Sequence, residues 1–297
     1  MDVWLEVALN GPWARERQPL IPVTADEIVA DALDAADAGA AVVHFHAYDE
    51  HTGRQRDAYE LYAPVIERIR ASADVVCCPT IPFAGGPDAG EPLGPAERFA
   101  AVERLLEAGL IEWSVVDPGS VNIALAADVA AGREGFVYAN PESHVRYGLG
   151  LAAAHAMIPS YAIYEPGFLR LGAALHRATP GAPQPVYRFM FSDTFRFGFP
   201  PTAWALDAYL RLLQEEAPGS PWMVAGLGVE IEPLVAAAVR AGGHVRVGLE
   251  DAPLGTGVGN RARVERAVRA IAAAGGRPAS AAGVRAACAA PVIRPRP

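Results

Sequence analysis

The sequence predicts an α/β chain wound as a (β/α)8 TIM barrel, and two observations carry that expectation. Short apolar runs alternate with stretches of 3.6-residue periodicity, eight times over and about every 35 residues. The first run then ends in Asn10-Gly11-Pro12, without the Gly-x-Gly-x-x-Gly that opens a doubly wound nucleotide-binding sheet. The glycines of Ala225-Gly226-Leu227-Gly228 come late and match only part of that fingerprint. The 297 residues are therefore read as one barrel domain spanning 1–297.

The strands are expected at Val3–Leu9, Ala41–Ala47, Asp74–Ile81, Ile111–Val116, Ser160–Tyr164, Val186–Phe191, Trp222–Leu227 and Val245–Glu250. Strands buried on both faces read as such unbroken apolar strings. The helices between them carry their own signals. Thr24-Ala25-Asp26-Glu27 is a capping box, followed by Ile28, Ala32, Leu33 and Ala36 at helical spacing and by Gly39 as the stop. Pro95 opens another helix, whose apolar side carries Phe99, Val102, Leu105 and Leu106 until Gly109. Stretches 202–213 and 232–241 follow the same pattern. The Ala/Arg-rich tail from Asn260 to Ala289 reads as helix, broken near Gly275-Gly276-Arg277-Pro278.

Composition narrows the function. Hydrophobic residues make up 52% of the chain and charged residues 20%, a foldable composition. The net charge of -9, with no basic stripe, argues against a nucleic-acid partner and for a small-molecule ligand. No uncharged apolar stretch is long enough for a membrane span, and Met1-Asp2-Val3-Trp4-Leu5-Glu6 reads as a strand instead of a signal peptide, so the cytoplasm is the expected address. Cys77, Cys78 and Cys288 have neither metal-ligand nor disulfide spacing, and the vicinal pair reads as buried small apolar residues.

Active residues of such barrels lie where strands end. The second strand ends His44-Phe45-His46, placing two imidazoles on one side, roughly 7 Å apart. The eighth ends Arg246-Val247-Gly248-Leu249-Glu250-Asp251, and barrel closure brings strands eight, one and two side by side. Two imidazoles and a carboxylate make a catalytic zinc set with a fourth position open, and the same donors suit non-haem iron. Glu250 and Asp251 are adjacent and cannot both face inward in a regular strand, so one is expected to bind metal while the other serves as a base at the rim. Thr80 is a candidate hydroxyl donor. Asp117, Ser120 and Asn122 form a hydrogen-bonding turn after strand four and are candidate substrate contacts.

These motifs, together with Leu9-Asn10-Gly11, Pro19–Ile28, Pro118-Gly119-Ser120-Val121-Asn122, Val224–Gly228 and Gly276-Arg277-Pro278, resemble the beta-keto acid cleavage enzyme family along nearly the whole chain. The resemblance implies a zinc-dependent barrel, commonly a homotetramer. Its reaction converts a β-keto acid and acetyl-CoA to acetoacetate and a new CoA thioester. By position it implies zinc ligands His44, His46 and Glu250, with Asp251 as general base oriented by Arg246. Thr80 would lie near the reacting carbonyl, and Asn10 joins the substrate contacts.

Four departures stand out. Tyr48 replaces an arginine, and Trp13 stands where some members carry a glutamate, with Glu16 displaced. The strand-five motif Pro-Glu-x-Glu here reads Pro159-Ser160-Tyr161-Ala162. Aromatic segment Phe191–Pro201 replaces a glycine-rich one, and its Phe195, Phe197 and Phe199 would serve either as a pocket cap or as a subunit contact. The alternative is a zinc hydrolase, or another lyase on a 1,3-dicarbonyl compound that does not use CoA. A hydrolase of the amidohydrolase kind would need histidines at the ends of strands five and six, where Tyr164 and Phe191 stand instead.

Overall fold

The computed structural model describes residues 1–83 and 93–289. Eight parallel strands form one sheet: β1 (Leu5–Ala8), β2 (Val42–Phe45), β3 (Val76–Pro79), β4 (Trp113–Val115), β5 (Ile158–Ile163), β6 (Val186–Phe191), β7 (Trp222–Gly226) and β8 (His244–Val247). Their lateral order is β3-β2-β1-β8-β7-β6-β5-β4, and the two ends β3 and β4 lie against each other, so the sheet curls into a nearly closed barrel. Register is set by pairs such as Arg246↔Glu6 between β8 and β1, and Ala8↔His44 between β1 and β2.

A helix follows each strand: α1 (Ala25–Asp37), α2 (Tyr59–Ser72), α3 (Pro95–Glu107), α4 (Glu142–His155), α5 (Pro166–Arg177), α6 (Ala203–Glu216), α7 (Glu232–Arg240) and α8 (Asn260–Ala273). The capping box forms as expected, since the Thr24 side chain accepts from Glu27 N–H while Glu27 accepts from Thr24 N–H.

Side chains alternate between two cores, as the strand period of two requires. One is the interface between strands and helices. The other lies inside the barrel and collects Trp4, Val42, Val76, Trp113, Ile158, Val186 and Met223. A ninth helix, α9 (Ala281–Ala289), seals that end with Ala281 and Val284. Two residues further along the same strands the interior turns polar, with Glu6, His44, Cys78, Ser160, Arg188 and Arg246 all buried. The barrel is thus plugged with apolar side chains below and lined with ionisable ones toward the strand C-termini.

Only β6 matches its expected bounds at both ends; the other strands differ by one to three residues, most of them shorter than expected. β3 is shorter than 74–81, and β5 begins at Ile158, before Ser160. β8 stops at Val247 and not at Glu250. Gly248 adopts φ +146, a conformation open to glycine, and a Cβ there would lie 2.0 Å from the Ala8 carbonyl oxygen. The turn it permits reorients everything after it.

Candidate metal centre and active site

His44 ends β2 one residue before its last, and His46 follows the strand directly, so both rings face the interior. Their Nδ1 atoms are engaged. His44 Nδ1 lies 2.7 Å from the Cys78 carbonyl oxygen and His46 Nδ1 2.9 Å from Gln55 Oε1. Both partners are acceptors, because the Gln55 amide nitrogen donates to Asp57. Each ring therefore carries its proton on Nδ1 and turns a bare Nε2 inward, the tautomer a metal ligand needs.

The Nε2 atoms meet Glu250, His44 at 3.2 Å and His46 at 3.6 Å from its carboxylate oxygens. The three donors lie within 4.8 Å of one another, and His46 Nε2 and Glu250 Oε2 are buried without a hydrogen-bond partner. A cluster of lone pairs with no proton between them is costly unless a cation holds it, so the residues fit a divalent metal ion. Burial opposes charge on both imidazoles. At His44 it prevails and lowers the pKa, whereas at His46 the Glu250 and Asp57 carboxylates outweigh it and raise the pKa. Burial also opposes charge on Glu250, but Arg246 and the two imidazoles hold its carboxyl well below the usual carboxylate range.

Arg246 organises the acids. Its Nε and Nη2 donate to the two Asp251 oxygens at 2.8 and 2.9 Å, and Nη1 donates to Glu6 at 2.8 Å. Nη2 also lies 3.1 Å from Glu250. Both Glu250 and Asp251 reach the same guanidinium, which an extended strand would forbid and the turn at Gly248 allows. Burial pushes Asp251 up to about 6 against the pull of Arg246. The carboxylate lies behind Arg246, beside the cavity and not on its wall.

That cavity, about 90 Å³, is bounded at one end by His44, His46, Glu250 and Arg246, with Thr80, Asp117 and Arg188 on its sides. The remaining wall is largely aromatic, from Trp13, Phe83, Phe136, Tyr138 and Tyr164. Asp117 is spent on local bonds, its oxygens accepting from Ala162 N–H and Tyr138 O–H, both at 2.7 Å. Asn10 is not brought to the cavity. Its side chain clamps the His46 backbone, accepting from His46 N–H and donating to His46 C=O. Nor are Ser120 and Asn122, both exposed, the former accepting from Asn140 N–H and the latter on the short hairpin 121–138.

The aromatic segment after β6 packs within its own chain. Phe195 stacks on Trp13 with centroids 6.1 Å apart, and Phe197 meets Tyr164 edge-on at 5.0 Å. Trp13 donates its indole N–H to the Glu250 carbonyl, and the Tyr48 hydroxyl shares its one proton between the Gly11 and Trp13 carbonyls. Tyr48 thus fixes the loop after β1 over the cavity. Sequence reading passed over Gln55, Asp57, Glu6 and Arg188. The last two carry the signal that singled out Arg246, a lone charge in an apolar strand run; Gln55 lies on the short hairpin 48–55 and Asp57 just after it, with no such signal.

The model of the beta-keto acid cleavage enzyme family matches residues 2–289. The chain belongs to that family. It is 29% identical over 293 residues to the 3-dehydrocarnitine:acetyl-CoA trimethylamine transferase of Rhizobium meliloti (strain 1021), covering 92% of each protein. It is 29% identical over 239 residues to the 3-keto-5-aminohexanoate cleavage enzyme of Fusobacterium nucleatum subsp. nucleatum, covering 80% of this chain and 77% of that one. Among solved structures, apo ObcA superposes with a TM-score of 0.72 at 16% identity, over 91% of this chain and 65% of that longer one, a likeness of fold alone. As a beta-keto acid cleavage enzyme the chain is an enzyme built on a TIM barrel, and its His44-His46-Glu250 cluster could hold a metal.

Proposed function

We propose that this enzyme binds Zn2+ through His44, His46 and Glu250 and cleaves a β-keto acid by acyl exchange with acetyl-CoA. The observation that carries the reading is the pair of bare Nε2 atoms facing an unpaired Glu250 oxygen at the inner end of a cavity. Zinc suits two neutral imidazoles and one carboxylate with an open fourth position. When bound, the metal supplies Lewis acidity, stabilising negative charge on the keto oxygen and acidifying the carbon between the two carbonyl groups.

The chain's own residues do the rest. Asp251 takes the proton from that carbon. Its pKa, pushed up to about 6, suits a base working near neutrality. To reach the cavity it exchanges one of its two bonds with Arg246, which keeps the other oxygen and pairs the remaining charge. Thr80, just past the end of β3 on the cavity wall, presents its hydroxyl near the reacting carbonyl. Trp13, stapled by its indole N–H to the Glu250 carbonyl, keeps water out of the mouth. The deprotonated carbon attacks the thioester carbonyl and expels the CoA thiolate, the thiolate attacks the original keto carbonyl, and the bond from that carbonyl to the central carbon breaks. The acyl group is then the new CoA thioester, and the acetoacetate carbanion takes back the proton held on Asp251. Acetyl-CoA as co-substrate is supported by the name of the Rhizobium relative. Small acids, a cytoplasmic setting and a homotetrameric assembly complete the reading.

The test is acetoacetate formation by zinc-loaded protein from a panel of β-keto acids, with and without acetyl-CoA. Product only when both are present is expected. Asp251→Asn should lower the rate by about 10²–10⁴-fold with zinc content unchanged. An unaffected rate removes Asp251 from the mechanism, and product without acetyl-CoA removes the acyl exchange.

A further inference from the structure

Among the described residues, Arg188 is the one cationic side chain on the cavity that neither the metal cluster nor the base uses. It sits in the middle of β6, 2% exposed, on the row that points into the barrel. Its Nε is buried without a hydrogen-bond partner. Its Nη atoms lie 3.8 Å from Glu6 Oε1 and 3.6 Å from Asp117 Oδ1, ion-pair distances too long for hydrogen bonds. Those two oxygens are committed elsewhere, the first accepting from Arg246 and the second from Ala162 N–H. The neighbouring strand offers nothing more. Ala162 stands directly across from Arg188, and Ser160, one inward step below, has a buried hydroxyl without a partner.

A buried guanidinium with unmet donors is expensive, and burying one pays only if something completes it. Arg246 reaches Glu6 and Glu250 at once, and Arg188 reaches the same Glu6 oxygen, so one carboxylate links Arg188 to the metal cluster. Both line the same cavity, so a substrate whose head sits at the cluster has Arg188 within that cavity for its other end.

We propose that Arg188 is a specificity-determining residue that binds a second carboxylate, so that the preferred substrate is a β-keto dicarboxylic acid. The inference rests on the proposed reaction for the head of the substrate and adds the recognition of its far end. A planar fork matches a carboxylate bidentately. Ala162 leaves room for the incoming anion where a glutamate would occupy Arg188 and repel it.

The test uses binding, which does not depend on turnover. Metal-loaded protein is titrated calorimetrically with three non-cleavable six-carbon acids: adipate, hexanoate and 6-aminohexanoate. Adipate should bind at least about 10-fold more tightly than either other acid. Arg188→Met should erase that preference while leaving hexanoate binding unchanged, and Ala162→Glu should erase it by giving Arg188 a partner of its own. Arg188→Lys, which keeps the charge, guards against a misfolded methionine variant and should retain part of the preference. Equal binding of adipate and hexanoate, or equal weakening of all three acids in Arg188→Met, overturns the proposal. Adipate preference without acetoacetate from any keto acid would leave the Arg188 site standing and overturn the reaction instead.

Discussion

At the scale of single residues, each imidazole at the centre depends on the atom behind it. His46 owes its tautomer to Gln55, which is itself oriented by donating to Asp57 at 2.6 Å. Replacing Gln55 by leucine removes the acceptor while keeping the volume. Zinc affinity, measured by competition with a chromophoric chelator, should fall about 10–100-fold with the circular dichroism spectrum unchanged. His244 shows how an imidazole elsewhere in the barrel is used. It stacks on Trp4 with centroids 4.1 Å apart, and its Nδ1 accepts the Trp4 backbone N–H at 3.1 Å, which requires a bare nitrogen. Burial drives its pKa down to about 3. Because the folded value lies below the unfolded 6.5, the unfolded chain binds the proton first, so stability is full above pH 6.5 and drains away between 6.5 and 3. By pH 5 this costs about 2 kcal/mol. Urea unfolding at pH 7 and pH 5 should show His244→Asn losing about that much less than the wild type.

At the scale of elements, the turn after β8 decides the site. A strand continued through Gly248 would point Glu250 and Asp251 in opposite directions. The glycine instead lets the chain turn close over the Ala8 carbonyl, so Glu250 faces the histidines while Asp251 swings to Arg246. Gly248→Ala forces a Cβ into that carbonyl and strains the backbone. It should destabilise the fold by about 2–4 kcal/mol and reduce zinc content, with stability read by calorimetry and metal by emission spectroscopy. The loop after β1 is fixed by a different device. Tyr48 ties it down through two carbonyls and Trp13 staples it to Glu250. Trp13 and Tyr48 therefore interact with each other here, each bracing the same loop.

At the scale of the molecule, an unpaired lone-pair cluster in the barrel interior couples metal binding to folding. An ion that binds only the native state stabilises by mass action, about 4 kcal/mol at a thousandfold excess over its dissociation constant. Removing metal with a chelator should lower the melting temperature by about 8 °C, restored by zinc. A melting temperature indifferent to chelator would mean that His44, His46 and Glu250 tolerate their crowding without an ion.

The strand–helix alternation and the eightfold repeat are legible in the chain, and so are the strand-end residues His44, His46, Arg246, Glu250 and Asp251. These are legible because period and strand ends are local properties, and because charges in apolar runs stand out. The same rule would have flagged Glu6 and Arg188 had it been applied to every strand. It takes the folded chain to show that Asn10 holds backbone, that Ser120 and Asn122 lie away from the cavity, and that Gln55 and Asp57 stand behind His46. Those assignments turn on which side chain meets which atom across distant segments, and hydrogen-bond partners of that kind leave no periodic trace along the chain.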